Sequence, residues 1–421
     1  LSKACKAAGI ERLARLLALI GLALGLAGTA TRADDLCWQG CAALMAQDPG
    51  LLRSRIATSP GGQAESILVG PPSDLAAMRA AVAAVGGLIL REVDRPALGL
   101  VSVIAVFPGL AAYERALARL VRTAPDTGMS ANWTYDFAQT LAGMPAAAAP
   151  AGAPRLYAPQ LIGDERPGRC RLAAPVRIGM IDGPVNPAHP ALRGARLRHE
   201  VLTGPAPVPV ADHGTAVAVL MVGEDPSGIL AGYARGAELI AVSVFTREGA
   251  ATGTTVERIV AALDLLVGRQ ARLINMSFSG PRSPALGVAL NAGARRGVVM
   301  VGASGNDGVA QVAYPAEAPE VIAVTAVDAA RRRYRLANTG GEVEIAAPGV
   351  DVYLAQAQGG GYGSGTSFAA PVVTALLARE MARGATGSQA LRNHLRGTAE
   401  ALGRGGRSAE FGWGLARAGA C

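Results

Sequence analysis

Two kinds of hydrophobic pattern run along this chain, separated by a stretch that has neither. From Glu65 onward, SILVG at 66–70 reads as a strand, SDLAAMRAAVAAVG at 73–86 as a helix, and Leu88–Glu92 and Leu100–Phe107 as strands. AAYERALARLV, from Ala111 to Val121, keeps its apolar residues near a period of 3.6 and predicts a second helix. This order predicts a small α+β unit over residues 60–140. The pattern then lapses into AGMPAAAAPAGAP at Ala142–Pro154, and its weak continuation to Pro175 marks residues 141–174 as an Ala/Pro-rich linker. Beyond it, VRIGMID (176–182), ELIAVSVF (238–245), ARLINMSF (271–278), GVVMVGASG (297–305) and VIAVTAV (321–327) are continuous apolar, β-branched runs rather than alternating ones. Strands buried on both faces look like this, so a mainly parallel sheet is expected. Helices predicted at Gly214–Val222, Thr255–Val267, Ala285–Arg295 and Ser367–Arg379 fall in the intervals, which makes residues 175–421 a three-layer α/β domain.

The first residues fit neither unit. LLALIGLALGLAGTA, from Leu16 to Ala30, is uncharged and follows Lys3, Lys6, Arg12 and Arg15, the pattern of a signal peptide and too short for a bilayer span. Residues 1–33 are therefore expected to direct export to the periplasm or medium and to be removed, leaving no stable membrane span. This changes the meaning of the charge. The 421 residues carry a formal +8, but five basic residues against Glu11 place +4 in the signal, so nucleic acid loses its main support as a partner. Residues 34–59 form a short segment holding Cys37 and Cys41; with Cys170 and Cys421 they leave four cysteines for an oxidising compartment, where disulfide bonds are expected and three pairings are open. Only four histidines are scattered through the chain, which does not suggest a zinc site.

Three segments carry chemistry. IGMIDGPVNPAHP ends a buried strand in Asp182, and strand ends are where open α/β folds build sites. DHGTAVAVLMVG places His213 at the start of an apolar helix, and GYGSGTSFAAPVVTALLA leads glycine turns into a helix at Ser367. Each residue alone has a structural reading as a turn or cap. Together they supply a nucleophile, its general base and a carboxylate to hold the base's tautomer, as acyl transfer by serine requires. VGASGNDG adds Asn306, whose amide suits a developing oxyanion.

With these motifs the chain resembles the subtilisin-like serine proteases, the subtilases. Asp182 with the following His189, Pro190 and Leu192 resembles the family's aspartate segment, HGTAVA its histidine motif, ASGN its oxyanion asparagine, and GTSFAAP its nucleophile motif. The order Asp, His, Ser, at spacings of 31 and 154 residues, is similar to that of compact subtilases and differs from the orders of α/β-hydrolases and chymotrypsin. The resemblance implies a serine endopeptidase acting on protein or peptide substrate, with no required cofactor and with Ser277, Phe278, Ser279, Gly280, Gly302, Ala303 and Ser304 lining the substrate. It also implies that residues 60–140 are a ferredoxin-like propeptide, an intramolecular inhibitor and folding aid removed by self-processing. FGWGLARAG near the end resembles a closing segment of some subtilases, and Cys421 is expected to tether it to Cys170 or to the Cys37/Cys41 region. Structural calcium is known in the family, but VGEDPSGILAGYARGA displays no oxygen cage, so Glu224 and Asp225 read as solvated loop residues and no ligand is assigned. Three positions depart from the family: Gly183 and Pro184 replace Thr-Gly after the aspartate, and Ala216 replaces a second histidine. These leave a catalytically silent, peptide-binding relative as the alternative function.

Overall fold

The computed structural model describes residues 56–137, 156–164, 170–172, 176–248, 251–403 and 406–419. The expected signal, Cys37, Cys41, Cys421 and most of the linker lie outside them.

The N-terminal unit contains β1 (Glu65–Gly70), α1 (Leu75–Ala83), β2 (Leu88–Arg95), β3 (Leu100–Val106), α2 (Leu110–Thr123) and β4 (Gly128–Ala131). Its sheet has the order β2-β3-β1-β4, and every pairing in it is antiparallel. β1 and β3 are buried along their whole length, which explains their unbroken apolar runs. Side chains of a strand alternate between faces. Leu68, Val101 and Val103 pack on Met78, Val82, Ala116 and Leu120 from the two helices. Ile67, Val69 and Ile104 face the opposite way, into a core shared with the larger unit. Each such aliphatic side chain contributes about 1.5–3 kcal/mol when fully buried, so this second face holds the two units together.

The larger unit is built on seven strands: β6 (Arg177–Asp182), β7 (Arg196–Val201), β8 (Glu238–Ser243), β11 (Leu273–Met276), β12 (Val299–Ala303), β13 (Val321–Val327) and β14 (Val343–Pro348). Their order is β14-β13-β12-β11-β6-β8-β7, and every pairing is parallel. Helices cover both faces, as a parallel sheet requires. On one lie α4 (Asp212–Val222) and α7 (Thr366–Ala382); on the other lie α5 (Val256–Gly268) and α6 (Pro284–Arg295), against which the N-terminal sheet packs. The chain is thus a mixed α/β fold with a parallel core sheet. β6 sits between β11 and β8, so successive connections leave it in opposite directions. A crevice forms at such a switch point, beyond the carboxyl ends of the strands.

Local signals account for the helix boundaries. Thr255, expected to be the first residue of α5, is its N-cap and accepts from the Arg258 N–H; Ser283 caps α6 in the same way ahead of Pro284. α7 begins at Thr366 after Gly365, so Ser367 lies inside the first turn and is not the cap.

Residues at the end of the linker fold onto the larger unit. Ile162 is fully buried, Tyr157 donates to the Val350 carbonyl at 2.6 Å, and Asp164 pairs with the buried Arg379 of α7 at 2.7 Å. At the other end, Ile56 and Thr58 already bridge to Trp133 and Ala64.

Two expectations are corrected. No disulfide joins two described residues, because Cys170, itself buried and disulfide-bonded, is the one cysteine among them. Glu224 is not a solvated loop residue: Arg171 and Arg235 pair with it, and its side chain is 8% exposed. Asp225 folds back on its own turn, accepting from the Ser227 and Leu230 N–H groups. Among the described residues no group of three or more His, Cys, Asp or Glu is placed to hold a metal, and no helix is long and apolar enough to cross a membrane.

Candidate active site

Asp182 ends β6 at the crevice, fully buried. Its Oδ1 accepts from the Gly183 N–H at 2.6 Å and from His213 Nδ1 at 2.8 Å. His213 reaches this carboxylate because α4 begins against the 183–184 turn. A Cβ on Gly214 would lie 2.3 Å from the Pro184 carbonyl oxygen, so only glycine permits the approach. The turn is fixed from below as well. Ser243, at the end of β8, donates to the Gly183 carbonyl at 3.1 Å, so the 2.6 Å contact between His199 and Ser243 Oγ needs the proton on His199 Nε2. Burial lowers His199 below the ordinary imidazole range and so favours its neutral form, against the opposing effect of nearby Glu200.

Ser367 is placed by the first turn of α7. Pro371, four residues on, has no N–H to give the Ser367 carbonyl, and Ser277 Oγ supplies the missing donor at 2.8 Å. Ser277 is held in turn by Asn275, whose other amide atom accepts from Thr374 of α7 at 3.0 Å. Asn306 is aimed from the opposite wall. Its Oδ1 accepts from both the N–H and the hydroxyl of Thr366 at 3.0 Å, which turns Nδ2 the other way. Gly305 before it adopts φ +101° beneath Asn338, a conformation that excludes a side chain.

Asp182 Oδ2, His213 Nε2, Ser367 Oγ and Asn306 Nδ2 are all buried and have no hydrogen-bond partner among the described residues. A buried polar atom without a partner costs about 1–3 kcal/mol. Four of them on the four residues singled out by motif make this crevice the candidate site.

The remaining expected residues divide. Ser279 exchanges both backbone hydrogen bonds with Asp136, at 3.1 and 3.2 Å, while Phe278 is buried beneath Tyr135 and Gly280 lies directly under the Tyr135 ring. Ser277, Gly302, Ala303 and Ser304 are buried, and the space on the side-chain side of Gly302 is filled by Ala316 and Val321. The groove wall opposite Ser279 is β10 (Ala251–Thr255), paired with β9 (Thr246–Glu248). Between the walls runs the tail of the N-terminal unit: β5 (Thr134–Tyr135) pairs antiparallel with β10, Asp136 with Ser279, and Phe137 stacks on His213.

Residues 174–414 match the Subtilase family, more than half of the chain. The chain belongs to that family. It is 32% identical over 250 residues to subtilisin E of Bacillus subtilis, covering 57% of this chain and 64% of that protein. It is 35% identical over 195 residues to M-protease of Shouchella clausii, covering 45% of this chain and 50% of that protein. The chain therefore spans less than two thirds of these relatives' own lengths. Among solved structures, fervidolysin from Fervidobacterium pennivorans superposes with a TM-score of 0.63 at 21% identity, covering 87% of this chain and 62% of that one; this is a likeness of fold, and it extends beyond the family-matched residues. The prenylagaramide maturation protease PagA superposes with a TM-score of 0.50 at 26% identity, covering 57% and 90%. Family and fold together support a serine-protease mechanism for this subtilase.

Several residues of the subtilase site were not foreseen. Asn275 left a signal, a polar residue in the middle of a buried strand. Tyr135, Phe137 and Phe245 left none, since apolar residues in short runs read equally well as core.

Proposed function

We propose that this subtilase is the precursor of a serine endopeptidase that hydrolyses peptide bonds through an acyl-enzyme. The observation that carries this reading is the Asp182–His213 hydrogen bond of 2.8 Å beside the unpartnered His213 Nε2, Ser367 Oγ and Asn306 Nδ2. His213 accepts the Ser367 proton as Oγ attacks the substrate carbonyl, and Asp182 holds the Nδ1–H tautomer and stabilises the imidazolium. Asn306 Nδ2 and the N–H of Ser367, at the amino end of α7, stabilise the oxyanion. His213 then protonates the leaving amine, and water releases the acyl group.

Residues 60–140 act as a ferredoxin-like propeptide in this reading. The βαββαβ order and the extended Thr134–Phe137 segment between β10 and Ser279 support it, because a peptide recognised by strand addition lies in this way. Tyr157 and Ile162 pack with the larger unit, so the processing bond falls between Phe137 and Tyr157 and the 141–174 segment is divided by it. Export through residues 1–33 belongs to the same proposal. Intact masses of wild type and Ser367→Ala test it, together with cleavage of a diverse peptide mixture. The wild type is expected to self-process and cleave and the variant to do neither. Equal cleavage by both would remove Ser367 from the mechanism, and cleavage by neither would favour the peptide-binding alternative.

A further inference from the structure

The departure from Asp-Thr-Gly after the catalytic aspartate has a counterpart across the groove. A Cβ at Gly183 would lie 2.8 Å from Cζ of Phe137, so any larger residue at 183 would meet this ring. The same ring is held between two others. It stacks on His213 with centroids 4.1 Å apart and planes at 25°, and on Phe245 at 3.9 Å and 20°. Phe245 is fully buried and leans on Phe278, itself in edge contact with Tyr135. Tyr135 and Phe137 are two residues apart on an extended segment, so both point to the same side, and each has its own seat.

We infer that Gly183 and Phe245 build a specificity pocket beside His213 for a flat aromatic side chain, and that the enzyme selects peptides with an aromatic–any–aromatic pattern in which the second ring rests on the general base. This rests on the reading of the groove as the substrate site and adds which substrates it takes. Gly183 supplies the space and Phe245 the second face. Offset stacking between two rings and removal from water both favour an aromatic occupant over an aliphatic or small one. A ring on the His213 face also covers the base from solvent while its edge stays free to exchange a proton with Ser367.

The test compares peptides that begin Tyr-Asp-Phe with the same peptides carrying Leu or Ala in place of Phe, using self-processed wild type, Phe245→Ala, Phe245→Tyr and Gly183→Thr. Wild type should favour Phe over Ala by about tenfold or more in kcat/KM. Phe245→Ala should lower that ratio to about threefold or less, Phe245→Tyr should restore it, and Gly183→Thr should reverse the preference in favour of Ala by filling the pocket. The substrate comparison on the wild type needs no variant, so the inference stays open to refutation if the substitutions impair folding. Ser367-dependent cleavage with no preference for Phe would overturn the pocket and leave the protease reading intact. Absence of Ser367-dependent cleavage of every peptide would instead refute the protease reading.

Discussion

The Ser277 hydroxyl donates to the carbonyl of Ser367 at 2.8 Å, closing the gap that Pro371 leaves in the first turn of α7. Ser277 therefore ties the first turn of α7 to the sheet. Ser277→Ala would leave that buried carbonyl without a donor, at a cost of about 1–3 kcal/mol. Urea unfolding should show this loss, and peptide kinetics a fall in kcat larger than any rise in KM. An unchanged kcat would show that the nucleophile is held by other contacts.

Asn306 has its oxygen engaged by Thr366 and its nitrogen open. Asn306→Ala should lower kcat by about 10²–10³ with KM little altered, the range for loss of one oxyanion donor. A change in KM alone would assign Asn306 to ground-state binding.

Arg91 on β2 spans Glu65 of its own sheet and Glu257 at the start of α5, so this ion-pair group ties the N-terminal unit to the larger one. Arg91 is partly exposed, which limits each pair to about 1 kcal/mol or less. On the proposed self-processing, Glu257→Gln should speed release of the N-terminal unit by about two- to fivefold and make release less sensitive to salt. Size-exclusion time courses at low and high ionic strength measure this; the same salt dependence in both proteins would show that apolar contacts alone hold the unit.

Burial shifts His199 below its ordinary value of 6.5. The unfolded chain then binds this proton more readily than the folded one, so His199 lowers stability as pH falls through about 6.5 and has no effect well above it. His199→Gln, which retains a donor toward Ser243, should reduce the shift in urea midpoint between pH 7.5 and 5.5. Parallel midpoints across that range would exclude His199 as a contributor.

Much of this subtilase can be read along the chain. Continuous apolar runs such as VIAVTAV announced doubly covered strands, because a strand with helices on both faces has no polar side to show. Asp182, His213, Asn306 and Ser367 stood out because each joins a reactive side chain to a local turn or helix start, and local geometry is encoded locally. Tertiary structure decided what depends on residues far apart. Only packing brought Phe137 between His213 and Phe245, gave Gly183 a reason to lack a side chain, and placed Ser277 beneath the carbonyl freed by Pro371. None of these has a periodicity or a motif, since each is a contact between surfaces that meet only after the sheet has formed. Asp164 shows the same limit: in a sequence of alanine, proline and charge it reads as linker, and its buried partner Arg379 lies 215 residues away.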